Sequence, residues 1–198
     1  FRIRQKILLS NHPDLAQSNN DLAIVYYRTG NFQQALLHQA EALRIQEEIL
    51  PPKHPDLATS YNNMGLIHNK LGNHQQALDY HLKDLSICEE VLEEDHPDLA
   101  ITYNNIGHTY DLLDNQTMAL EYMDKALGIQ KKRLPKDHPD LAQSYNNVGI
   151  IYTNLNQWSK AQDYLKVALQ IYEIKLPPNH PNLCICRSNY EYVCSMLD

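Results

Sequence analysis

The motif His-Pro-Asp-Leu-Ala recurs through this chain at a fixed interval. It begins at residues 12, 54, 96 and 138, and it returns at residue 180 as His-Pro-Asn-Leu-Cys. Each occurrence starts 42 residues after the one before it. A fixed period of about 20 to 50 residues is typical of proteins that stack copies of one structural unit. The sequence therefore predicts a repeat architecture rather than a single globular core.

The motif also sets the expected repeat boundaries. A shorter segment at the C-terminus matches only the first helix of a further repeat, and the N-terminal segment aligns with the end of a second helix. We therefore expect one array that is a piece of a longer one. Its expected parts are residues 1–9, the full repeats 12–53, 54–95, 96–137 and 138–179, and the half-repeat 180–198.

The sequence of a single repeat predicts two helices. Pro97 and Asp98 suit a first helical turn, because proline lacks a donor that this turn does not use and the carboxylate faces the positive end of the helix dipole. Apolar residues at three- and four-residue spacing then continue to a helix end near Leu113. Asp114-Asn115 occupies the turn where other repeats carry Gly-Asn or Asn-Gln, and these residue types tolerate left-handed backbone. A second apolar helix follows, which predicts an antiparallel helical hairpin.

The joints between repeats differ in one respect. Proline follows the second helix in three of the four joints, at Pro51-Pro52, Pro135 and Pro177-Pro178. Proline ends helices because it lacks the N–H donor and clashes with the preceding turn. The joint Glu93-Glu94-Asp95 has no proline, so we expect the helix before it to run slightly longer.

The repeat resembles the tetratricopeptide repeat (TPR). Gly107, Tyr110, Ala119 and the pair Ala126-Leu127 fall where that family carries its signature residues. TPR units have about 34 residues, and the 42-residue length, the His-Pro-Asp-Leu-Ala and Tyr-Asn-Asn motifs and the segment Ala126–Ile129 are similar to the kinesin light chain and nephrocystin-like subgroup. The resemblance implies an all-α, right-handed superhelical solenoid. It also implies that the first helix of each hairpin lines a concave groove, across which an extended peptide lies.

Paired asparagines recur in the middle of the first helices and are candidates for peptide binding. Asparagine is a poor residue for a helix interior, so the pairs need a specific role. Their amides can bond to a peptide backbone, or they can stitch adjacent repeats together, and the sequence leaves both interpretations open. The candidate residues are Asn20, Asn62, Asn104 and Asn146, with Asn63, Asn105 and Asn147 beside them.

Selectivity for a ligand is expected from positions that differ between repeats. A surface that is identical in every repeat can recognise only a ligand whose own sequence repeats. Some of these positions are apolar or weakly polar and others are basic. The candidates are Ile24, Leu66, His108 and Ile150 at one position, with Arg28 and Lys70 at another.

Several classes of function are not expected. The net charge of −7 disfavours nucleic-acid binding, and no apolar run is long enough for a membrane span. The five motif histidines occur once per repeat, too far apart to share a metal ion, and are expected to be helix-start residues. Since no phosphate-binding loop or nucleophile motif is present, we expect no cofactor and no enzymatic activity. Reduced cysteines fit a cytoplasmic protein.

Two functions remain. The first is a kinesin-light-chain-like adaptor: a non-catalytic scaffold that binds an extended peptide or a partner protein in the groove. The alternative is a structural spacer or self-association array, attached to a catalytic or signalling domain outside this chain. Under this alternative we expect the chain to stack end to end, because repeats that are cut expose apolar helix surface.

Overall fold

The computed structural model describes residues 10–197, and this part of the chain contains nine α-helices and no strand. The all-α prediction is therefore confirmed for these residues. The helix end expected within residues 1–9 lies outside the described residues. The helices are α1 (Pro13–Arg28), α2 (Phe32–Ile49), α3 (Pro55–Lys70), α4 (His74–Val91), α5 (Pro97–Leu112), α6 (Gln116–Arg133), α7 (Pro139–Asn154), α8 (Trp158–Lys175) and α9 (Pro181–Ser195).

The motif histidines begin the odd-numbered helices, as the sequence predicted. The backbone N–H of Asp14 donates to Nδ1 of His12 at 3.1 Å, and the same bond recurs at the other four histidines. A side-chain acceptor at this position satisfies one of the N–H groups that the first helical turn leaves unpaired. His-Pro-Asp is therefore a helix-start signal. Its imidazole nitrogen accepts the hydrogen bond that a serine or aspartate oxygen usually accepts at this position.

The turn inside each hairpin contains one residue in left-handed backbone. The φ angles at the equivalent positions are 78° at Gly30, 79° at Gly72, 59° at Asp114 and 55° at Asn156. Glycine adopts this conformation freely, and aspartate and asparagine tolerate it better than other residues. The predicted turn chemistry is confirmed at all four positions.

The prediction of a longer helix before Glu93-Glu94-Asp95 is wrong. Helix α4 has 18 residues, as α2, α6 and α8 do. It ends because Leu92 adopts extended backbone with φ −111° and ψ 155°. Leu50, Leu134 and Leu176 do the same in the other joints. All four leucines are half-buried, so burial of the leucine accompanies the helix end whether or not proline follows.

The helices form two compact units. The first ends at Glu94 and contains α1 to α4, and the second begins at Asp95 and contains α5 to α9. In the first unit α1 packs on α2, α3 on α4, and α2 on α3. In the second unit α5 packs on α6, α7 on α8, and α8 on α9. Helix α6 also packs on α7, and this contact connects the two neighbouring hairpins. Each unit is therefore a set of helical hairpins in sequence order.

Small residues allow the two helices of a hairpin to approach closely. Ala119 and Ala161 on the second helices are completely buried. A methyl group added to Gly107 would lie 2.7 Å from Cγ of Met123, and one added to Gly149 would lie 2.7 Å from Cγ of Leu165. These distances are too short for real contacts, so the glycines are required by the packing.

Candidate functional site

The asparagines of the first helices make contacts between repeats. In the first unit, Nδ2 of Asn63 donates to Oδ1 of Asn20 at 3.3 Å. In the second unit, Nδ2 of Asn104 donates to Oγ of Ser144 at 3.2 Å. These bonds join residues about one repeat apart, as the stitching interpretation requires. The peptide-binding role of the same residues stays a prediction.

The other asparagines of this set are placed as follows. Asn146 is buried, and its Oδ1 accepts from Nδ2 of Asn189 at 3.5 Å. Asn147 is half-buried, and its Oδ1 accepts from Nε2 of Gln143 at 2.9 Å within the same helix. Asn62 and Asn105 are half-buried. None of the seven is fully exposed, so a ligand would meet only part of each amide.

A cavity of about 310 Å³ opens in the first unit among α1, α2 and α3. One part of its wall is apolar and is formed by Ala23, Ile24, Leu66 and Ile67. The other part is polar and is formed by Tyr27, Arg28, Gln39 and Asn63. Ligand sites in proteins commonly combine an apolar wall with a few polar groups in this way.

The cavity brings together four of the residues that the sequence predicted as site residues, namely Ile24, Arg28, Asn63 and Leu66. Asn20, Asn62 and Lys70 belong to the same unit, but they are not part of the lining. The remaining predicted residues lie in the second unit: Asn104, Asn105, His108, Asn146, Asn147 and Ile150. There His108 is exposed and Ile150 is half-buried.

Sequence reasoning missed Gln39, the cavity residue on the second helix of the first hairpin. Its side chain is completely buried. Neither Nε2 nor Oε1 has a hydrogen-bond partner among the described residues. The equivalent position holds His81, Met123 and Leu165 in the other hairpins. A comparison of the second helices across repeats would have shown that this position holds a polar residue in the first two hairpins and an apolar residue in the last two.

The cavity extends from solvent into the core. Ile24 keeps 38% of its surface exposed and Arg28 is exposed, whereas Gln39 has none of its surface in contact with solvent. Burial raises the pKa of the Tyr27 hydroxyl, so this group stays a neutral donor and acceptor at neutral pH. The lining therefore combines an exposed cationic residue with a completely buried, unpaired amide.

A second, more polar cavity of about 320 Å³ is lined by His68, Gln76, Asp79, Tyr80 and Lys83. The rings of His68 and Tyr80 stack with centroids 5.4 Å apart, and burial lowers the pKa of His68. Lys83 lies 5.3 Å from the centroid of the Tyr80 ring. These contacts pack one hairpin internally, and the cavity contains none of the predicted site residues.

Residues 10–197 contain neither a metal-binding cluster nor a membrane-spanning helix. No group of three or more histidine, cysteine or acidic side chains in this range could hold a metal ion. No helix in the same range is both long and apolar enough to cross a membrane. None of the four cysteines, all inside this range, forms a disulfide.

Comparison with known families decides the class of the chain. The tetratricopeptide repeat profile matches residues 56–132 and 117–174, and a second tetratricopeptide repeat profile matches residues 15–56. Together these segments cover more than half of the sequence. The chain belongs to the tetratricopeptide repeat family. No curated protein matches it in sequence.

Solved structures give the same fold. A kinesin light chain from Podosopora anserina with nearly identical TPR-like repeats superposes with a TM-score of 0.80 at 22% identity, over 94% of this chain and 88% of that one. BtubC (BKLC) from P. vanneervenii gives a TM-score of 0.80 at 22% identity, over 93% and 74%. The apo form of RapI gives 0.70 at 20% identity, over 88% and 46%. The predicted TPR solenoid fold is confirmed, with kinesin-light-chain-like structures among those it resembles.

Tetratricopeptide repeat proteins are in general non-catalytic scaffolds for protein interaction. The chain's fold fits this class.

Proposed function

We propose that this chain binds an extended peptide segment of a partner protein on the face that holds Ile24 and Leu66, without catalysing a reaction. The cavity in the first unit carries the proposal, because it joins an apolar wall, an exposed cation and an unpaired buried amide. Such a combination suits a side chain that leaves the surface of a partner and enters the cavity.

The biological setting is also part of the proposal. A kinesin-light-chain-like adaptor in the cytoplasm is the role we favour. The similarity of the fold to kinesin-light-chain-like structures supports it. Four cysteines without a disulfide support a reducing compartment.

The test is a display selection with random linear peptides against the chain, followed by binding measurements on three proteins. The first is wild type, the second carries Ile24→Ser, and the third carries Val25→Ser. Val25 is the matched control because it is an apolar residue on the same helix, is 55% exposed, and is not part of the cavity lining.

Selected peptides should lose about tenfold or more in affinity for Ile24→Ser and keep their affinity for Val25→Ser, since burial of an isoleucine side chain is worth roughly 1.5 to 3 kcal/mol. Equal losses in both variants would contradict a site in this cavity. No enriched peptide from a folded protein would contradict the proposal itself. In that case a mass that rises with concentration would favour the spacer and self-association alternative.

A further inference from the structure

Gln39 is an exception to the rule that buried amides are hydrogen-bonded. Both polar atoms of its side chain are inaccessible to solvent and lack a partner within residues 10–197. A buried polar group without a partner costs about 1 to 3 kcal/mol. The third and fourth hairpins show that the fold accepts apolar residues at this position, because they hold Met123 and Leu165 there, whereas the second hairpin holds the completely buried His81.

The cavity that Gln39 lines is large enough for a ligand group. Its volume of about 310 Å³ is far above the roughly 15 Å³ that a single water requires. Apolar residues, among them Ile24 and Leu66, line the cavity together with the completely buried Gln39. We therefore expect a ligand group that reaches Gln39 to have an apolar stem and a polar tip.

The chemistry of the tip follows from the two atoms of Gln39 that need partners. Nε2 offers N–H donors and Oε1 offers an acceptor, side by side in one plane. A carboxylate tip only accepts hydrogen bonds, so it would serve Nε2, leave Oε1 unpaired and place a negative charge beside it. An ammonium or indole tip would serve only Oε1, and Arg28 would also repel the ammonium. A second carboxamide serves both atoms with a pair of parallel hydrogen bonds.

We infer that the cavity is a recognition pocket for a glutamine side chain of the bound peptide, with its carboxamide paired to that of Gln39. Glutamine has the longer stem of the two carboxamide residues, which suits an amide as completely buried as that of Gln39. The inference rests on the proposed function, because it requires a peptide ligand. It adds which residue of that ligand determines selectivity.

The experiment uses peptides from the selection described above, with the full chain and two variants. In Gln39→Met the unbranched shape is kept and the amide is removed. Gln33→Met is the matched control, since Gln33 lies on the same helix, is exposed, and does not line the cavity. Each selected peptide is also made with its glutamine changed to glutamate, asparagine or leucine.

We expect one glutamine position to be enriched with wild type and with Gln33→Met, and to be lost with Gln39→Met. The leucine peptide should bind wild type about tenfold more weakly than the glutamine peptide. On Gln39→Met that difference should vanish or reverse. Glutamate and asparagine peptides should also bind wild type more weakly than the glutamine peptide.

Three outcomes would overturn the inference, and they are distinguishable. Peptides that need Ile24 but show no preference for glutamine would overturn the pocket's assignment and leave the proposed function intact. A glutamine preference that persists in Gln39→Met would place its recognition elsewhere. If no peptide is enriched at all, the proposed function and this inference fall together.

Discussion

Gln39 occupies a position that holds an apolar residue in two of the other three hairpins and the completely buried His81 in the second hairpin. In the third and fourth hairpins, Met123 and Leu165 at this position pack against Gly107 and Gly149. In the first hairpin Ala23 replaces the glycine, and the amide lies in the wall of the cavity. Residues kept for binding often reduce stability, because function requires groups that the folded protein alone does not satisfy.

This view predicts that Gln39→Met stabilises the chain. Methionine has a similar shape and removes two unpaired buried polar atoms, so we expect the free energy of unfolding to rise by about 1 to 3 kcal/mol. Urea denaturation followed by circular dichroism measures the change, with Gln33→Met as the exposed control on the same helix. A loss of stability would show that Gln39 contributes to the core of the free protein.

A second prediction at this scale concerns His68, whose pKa is lowered by burial. The unfolded chain then binds a proton at this residue more readily than the folded chain does, so stability should fall as pH drops below the ordinary value of about 6.5. His68→Gln should reduce this acid sensitivity when urea midpoints are compared at several pH values between about 5 and 8. His74→Gln, at a half-buried site in the same unit, is the control. Parallel pH curves for His68→Gln and wild type would contradict the assignment.

At the scale of elements, we expect that removing a histidine cap lowers the stability of the chain. His138→Ala deletes the acceptor for the backbone N–H of Asp140, which lies 3.2 Å from Nδ1. Loss of a side-chain cap costs about 1 kcal/mol. His138→Asn should recover most of that loss, because asparagine is among the best capping residues. Thermal unfolding of the three proteins measures the effect, and equal midpoints would show that Pro139 and Asp140 alone suffice to begin α7.

Much of the fold was predictable because its signals are local. Caps, turn residues and apolar spacing act within a few residues, and they fixed the starts of the odd-numbered helices and the left-handed turns. The end of α4 was mispredicted, since proline was taken as the stop signal where Leu92 marks the end in its absence.

The site was predictable only in part. Ile24, Arg28, Asn63 and Leu66 could be named because they differ between repeats or recur on the first helices, and they line one cavity. Gln39 could not be named in this way, because an unpaired amide is recognised only when every neighbouring donor and acceptor has been accounted for in three dimensions. Hydrogen bonds between repeats, such as that from Asn63 to Asn20, could not be predicted from the sequence either, because they depend on how neighbouring helices pack.

At the scale of the whole molecule, each unit contains a tyrosine whose pKa is raised to about 12. For Tyr61 the causes are burial and then its hydrogen bond to Glu47, whose Oε1 accepts from the hydroxyl at 2.9 Å. For Tyr172 burial comes first, and nearby Cys186 and Asp140 add to it. In both cases the fold favours the protonated hydroxyl over the phenolate.

The sign of the resulting pH dependence is determined by these shifts. An unfolded tyrosine loses its proton near pH 10, whereas these two lose it near pH 12 in the folded chain. Their contribution to stability is complete below about pH 10 and is lost as pH rises from there through about 12. Because repeat arrays are stabilised by each unit and its nearest neighbours, each tyrosine should act mainly within its own unit.

Tyr172→Phe tests this most directly, because Tyr172 is almost completely buried with 1% of its surface exposed. Phenylalanine cannot ionise, so the variant should lose less stability than wild type between about pH 9 and 11. It should be less stable at neutral pH, where it lacks the hydrogen bond to Oε1 of Gln143. The slope of the urea midpoint against pH is therefore the decisive quantity, with Tyr192→Phe at a 53% exposed site as control. Equal slopes in Tyr172→Phe and wild type would mean that other groups cause the alkaline loss. The thiol of Cys186 would then be the next candidate, since burial raises its pKa to about 11.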